Sequence, residues 1–170
     1  MYELQGQLEK SENFGDIFDI VRKTVKEQLR MERAGLMLVL ADLPIHLGAF
    51  HGVGTNSIVM NRALLDHIIA AGHPRNHVNS FVYSILLHEY LHSLGVLEEE
   101  DVRRLVYEVS NKSFGPDHPA CRIAAKGPWS LLPKPGFVET RIHVETRFEL
   151  KPRQAELVTD FDRSHRAYIS

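Results

Sequence analysis

The chain has 170 residues, 44% hydrophobic and 25% charged, which gives one globular domain room for a real core and leaves too little for a second of full size. Twenty basic against twenty-two acidic residues give a formal charge of −2, and the signs alternate within segments such as RKTVKEQLRMER, so no electrostatic case for nucleic acid arises. Cys121 is the only cysteine, the opening MYELQGQLEK lacks the basic and apolar regions of a leader, and no apolar run approaches the roughly 20 residues of a membrane span; a soluble, cytoplasmic protein without a membrane partner is the expectation.

From Ser11 to Arg33, the residues Phe14, Ile17, Phe18, Val21, Val25 and Leu29 recur at helical spacing behind Ser11 and Asn13 as candidate N-caps. This predicts an amphipathic helix stopped by Gly35. LMLVL, Leu36 to Leu40, predicts a short central strand, and IHLGAF and NSIVMN predict two more, separated by the turn-forming HGVGT. Arg62 to Ala71 predicts a short helix stopped by Gly72 and Pro74. A second helix is expected to start near Asn76 to Ser80 and to run to Leu94, where Gly95 can cap it in the left-handed conformation. A third follows from about Glu98 to Asn111, with Val102, Leu105, Val106 and Val109 on one face.

Five of the eight prolines fall between Lys112 and Gly136, which predicts a long irregular segment. Beyond it FVETRIHVETRFEL alternates with period two, predicting a long half-buried strand or a hairpin, and the last ten residues read as a tail. The expected organisation is a core over 1–111, the Pro-rich segment over 112–136, and a strand and tail over 137–170 belonging to the same domain.

The segment SFVYSILLHEYLHSLG is apolar on nearly every side except at His88, Glu89 and His92. On a helix the two histidines project from one face a turn apart, near enough for both imidazoles to hold one ion. Glu89 sits a quarter-turn away, where its carboxylate can reach a water on that ion without coordinating it. With ten histidines and fourteen glutamates in the chain, the H-E-x-x-H spacing arises by chance in roughly one such chain in twenty. Context adds more than spacing, because a buried helix carrying three ionisable groups on one strip must pair them or bind something with them. In the competing reading both histidines are satisfied by core hydrogen bonds and Glu89 pairs with an arginine.

On these residues the chain resembles the zincin metallopeptidases over about residues 14–111. GTNSIVMNRALL is similar to the strand that in many zincins forms the upper rim of the cleft, where a peptide can add as an extra strand. The resemblance implies an α+β, zincin-like fold. An N-terminal helix and a small sheet would pack on the HExxH helix, a second, acidic helix would follow, and the C-terminal loop and long strand would extend the core. It also implies a Zn²⁺ ion held by His88, His92 and a third ligand, with Glu89 as general base and a peptide or protein as substrate.

Candidates for the third ligand are Glu98, Glu99, Glu100 and Asp101, with Glu108 and His118 further on. On the wheel of the third helix Glu98 falls within the apolar face, Glu99 lies at its edge, Glu100 points away, and Asp101 and Glu108 are a quarter-turn or more off. Glu98 is therefore favoured. It also ends HEYLHSLGVLE, at the position of the last ligand in the metzincin pattern H-E-x-x-H-x-x-G-x-x-H/D; that branch uses His or Asp there, whereas gluzincins take a glutamate from a separate helix.

A different class of function is a non-catalytic, metal-binding zincin-like module with a regulatory or scaffold role. The C-terminal third could also lie over the cleft and hold an enzyme latent, or its strand could pair across a two-fold axis to make a homodimer. Tyr90 and Tyr107 are candidate oxyanion donors. His67, His73, His77 and His143 read as surface or capping residues, and Cys121 as an inert small side chain.

Overall fold

Asn13 accepts the backbone N–H of Asp16 at 2.9 Å, while the Asp16 carboxylate reaches back to the N–H of Glu12 at 3.0 Å, so the first predicted helix begins with both end donors satisfied. The computed structural model describes residues 2–44, 46–131 and 155–163. Its element order is α1 (Tyr2–Lys10), α2 (Phe14–Leu29), β1 (Met37–Ala41), β2 (Ala49–His51), β3 (Ser57–Asn61), α3 (Arg62–Ala70), α4 (Arg75–Ser93), α5 (Glu99–Phe114), α6 (Pro119–Lys126), a 3₁₀ turn (Pro128–Leu131) and β4 (Ala155–Val158). The protein is α+β, with helices packed on a four-stranded mixed sheet of order β2-β3-β1-β4.

β1 runs parallel to β3 in the register Met37↔Ser57 to Ala41↔Asn61, whereas β2 pairs antiparallel with β3 and β4 antiparallel with β1. A parallel neighbour needs a crossover, and Asn61 holds it in place. Its buried side chain donates to the carbonyls of Leu43, Pro44 and Leu47 at 3.2, 3.0 and 2.8 Å, and accepts the N–H of Leu43 and of Leu64. One residue thereby fixes the connection after β1 and caps α3. The strand expected at the rim, within GTNSIVMNRALL, is instead interior. β3 is paired on both sides, and among the described residues the edge strands are β2 and β4.

Leu38, Leu40, Ile58 and Met60 point from the sheet into the main core, where they meet Phe18, Val21 and Val25 of α2, Leu86, Leu87 and Leu91 of α4, and Val102, Val106 and Val109 of α5. The opposite face carries a smaller cluster of Ala41, Leu43, Leu47 and Val59. α4 is apolar almost all round because it is the central helix, contacting α1, α2, α5, α6, β2 and β3. None of the helices is long and apolar enough to cross a membrane, among the described residues.

The structure differs from the sequence expectations in several places. The chain leaves α2 at Arg30, which adopts the left-handed conformation at φ 58°, five residues before Gly35. A helix not foreseen from the sequence, α1, precedes α2, with Leu4 and Leu8 buried. Helix continues past Asn111 to Phe114, and the Pro-rich segment contains α6: Pro119 sits at its first turn, where a missing N–H costs nothing, and His118 caps it by accepting the N–H of Ala120. Finally, Phe161 is no tail residue. It is buried and stacks on Phe18 with centroids 4.2 Å apart, and Asp162 accepts the N–H groups of Gly35 and Leu36. The strand expected over 137–150 lies outside the described residues.

Candidate metal centre

The last two turns of α4 carry His88, Glu89 and His92, and the short connection after it folds back on itself. Gly95 takes φ 97°, its N–H reaches the carbonyl of His92 at 3.0 Å, and the N–H of Val96 reaches that of Leu91 at 3.1 Å. This tight reversal needs glycine and brings the first turn of α5 beside the end of α4. Glu98 forms the N-cap in an extended conformation, exposed and with no side-chain capping bond. Glu99, the next residue, is the one whose carboxylate reaches the histidines. A wheel that begins at Glu98 misplaces this turn, because the cap residue is not helical and the loop sets its direction.

Glu99 bridges both rings, with Oε1 2.8 Å from Nε2 of His92 and Oε2 3.2 Å from Nε2 of His88. The two Nε2 atoms are 3.2 Å apart. Two nitrogens bound tetrahedrally to one zinc ion, each about 2.0–2.1 Å from it, would stand roughly 3.3 Å apart. The ring of His92 is oriented from behind, its Nδ1–H donating to the carbonyl of Val96 at 2.8 Å. That bond leaves a lone pair on Nε2 of the neutral imidazole, aimed at the other two groups. Among the described residues, His88, His92 and Glu99 are the group of three side chains close enough to share an ion.

Chemically the donor set fits such an ion: two imidazole nitrogens and a carboxylate oxygen, each a zinc ligand type, converge, and the Nε2 of neutral His92 is an acceptor facing the Glu99 acceptor. The electrostatics show the same demand for positive charge. The two imidazoles hold the Glu99 carboxyl far below its ordinary pKa, and the Glu99 carboxylate in turn raises that of His92. Compared with known proteins, the chain matches no family model, no curated protein and no solved structure.

Glu89 is buried and faces the sheet. Burial raises its pKa, against the opposing pull of His88, His92 and the backbone N–H of His51, which donates to its carboxylate. His51, at the end of β2, donates from Nδ1 to the carbonyl of Ser57 at 3.0 Å, and burial lowers its pKa. Sequence reading overlooked this residue, whose only mark is a histidine at a strand–turn boundary.

The other candidates are engaged elsewhere. Asp101 and Glu108 pair with Arg104 on the outside of α5. His118 is buried against Phe114, with Nδ1 used as the cap of α6. The Tyr90 hydroxyl is held by the backbone of Arg33, and Tyr107 is exposed on α5. His67 is exposed, His73 donates to the carbonyl of Leu131, and His77 bonds to Asn76. Cys121 is buried, which raises its thiol pKa.

Proposed function

We propose that the protein is a zinc-dependent metallopeptidase of zincin type, with His88, His92 and Glu99 as metal ligands and Glu89 as general base. The observation that carries this reading is the convergence of three possible ligand atoms at 2.8–3.2 Å, with the buried carboxylate of Glu89 next to His88 on α4. A bound zinc ion supplies Lewis acidity, making water a nucleophile near neutral pH and drawing charge from a carbonyl oxygen.

The chain's own residues do the rest. Val96 fixes the tautomer of His92 through its carbonyl. Glu89 takes a proton from the attacking water and hands it to the leaving amine nitrogen; its raised pKa brings its proton affinity toward the range where both transfers are easy. The outer edge of β2, which no strand pairs among the described residues and which adjoins Glu89 through His51, is where an extended peptide would add as a strand.

Zinc-loaded protein is expected to cleave members of a mixed peptide library, and Glu89→Gln to keep its zinc while losing about 10²–10⁴ in kcat. Cleavage unchanged in Glu89→Gln, or no cleavage by fully loaded protein, would overturn the peptidase reading; the second result would leave a metal-binding module.

A further inference from the structure

Arg33 lies between α2 and β1, outside the segments that suggest a metal site, and is half-buried. Its guanidinium Nη1 donates to the carbonyl of Ser93 at 2.7 Å, and Nη2 donates to the carbonyl of Thr55 at 3.1 Å and to Oδ1 of Asn56 at 2.7 Å. Its backbone is engaged as well. The N–H donates to the Tyr90 hydroxyl at 2.8 Å, and that hydroxyl donates to the Arg33 carbonyl at 3.3 Å. Tyr90 is fully buried, edge-on to Phe18.

These contacts fall on two places that matter to the metal centre. Tyr90 and Ser93 bracket His92 on the last turn of α4, and the Ser93 carbonyl is one of the helix-end acceptors that the helix itself cannot satisfy. Thr55 and Asn56 belong to the turn between β2 and β3, which begins next to His51, the donor to Glu89.

We propose that Arg33 is a positioning residue for the metal centre: its single guanidinium locks the His92 turn of α4 to the β2–β3 turn. The inference rests on the metal-peptidase reading. A planar fork with fixed donor directions suits three acceptors on two elements. Lysine offers a point charge on a flexible stem and cannot hold all three in one geometry. Loss of the side chain frees the Ser93 carbonyl and unties the turn that carries His51.

The test is cobalt(II) titration of the full chain, reading affinity and the visible absorption spectrum, for wild type, Arg33→Met, Arg33→Lys and Arg163→Met. Arg163 is a comparable clasp remote from the histidines, joined to Asp16, Asp19 and Asn13. Arg33→Met is expected to bind cobalt about 10–100-fold more weakly with an altered spectrum, Arg33→Lys to fall between, and Arg163→Met to match wild type. If Arg33→Met does not fold, Arg33→Lys carries the comparison. Wild-type affinity and spectrum in a folded Arg33 variant would overturn the proposal, as would an equal loss in Arg163→Met. Failure of the wild-type chain to take cobalt would overturn the metal reading and this inference with it, whereas failure confined to the Arg33 variants' prediction leaves the metal reading standing.

Discussion

Two charged clusters in this fold differ in how donors and acceptors balance. Near the end of the described chain, Arg163 donates to Asp16, Asp19 and Asn13 at 3.0–3.4 Å, and Asp162 accepts two backbone N–H groups at 2.8 and 3.0 Å with Arg22 alongside. Every charge there meets its opposite or a donor. At the α4–α5 junction two imidazole nitrogens face one carboxylate, and the Nε2 of neutral His92, its Nδ1–H given to Val96, meets the Glu99 oxygen acceptor against acceptor. The first cluster supplies donors to its own carboxylates and acts as a fastening; the second sets one carboxylate between two imidazoles and gains from a proton or a cation, the difference on which the proposed metal centre rests.

If the clusters differ in this way, zinc should act on one and not on the other. Free zinc at 1,000 times its Kd would stabilise the wild-type fold by about 4 kcal/mol, and His92→Ala should show no such response in thermal unfolding. Asp162→Ala removes a charged acceptor from the N–H groups of Gly35 and Leu36, so it should cost about 3 kcal/mol in urea unfolding while the response to zinc stays intact. A weakened zinc response in Asp162→Ala would erase the distinction.

The smallest effect concerns Glu89. Burial holds its pKa above the ordinary 4.5. The folded state therefore binds that proton more tightly than the unfolded one, so this residue's contribution to stability is full below pH 4.5 and is lost as pH rises through the raised value. Metal-free Glu89→Gln should accordingly be more stable than wild type by roughly 1 kcal/mol at neutral pH, an advantage that disappears in acid. Equal stability at neutral pH would mean that the carboxylate is satisfied without an ion.

Much of the architecture was legible because it rests on local signals: the apolar spacing of α2 and α5, the continuous apolar run of β1, and Gly95 at the end of α4. Elements that depend on distant partners were not. α6 lies within a stretch whose proline content suggests irregular chain and packs on α4 and α5, and the fastening role of Phe161 and Asp162 depends on residues far away in sequence. Within the candidate site, His88, Glu89 and His92 were visible from spacing and apolar context, since three ionisable residues within five positions of a buried helix stand out. Glu99 was not separable from Glu98, because the choice turns on which residue caps α5. Arg33 left no trace in the sequence; its role comes from the meeting of three segments in space.

The most direct measurement is zinc content by mass spectrometry of wild type, Glu98→Ala and Glu99→Ala, purified without chelator or histidine tag. About one zinc per chain in wild type and Glu98→Ala, with most of it lost in Glu99→Ala, is the predicted result. No zinc in wild type after the metal is supplied, or loss in Glu98→Ala with retention in Glu99→Ala, would contradict the ligand set.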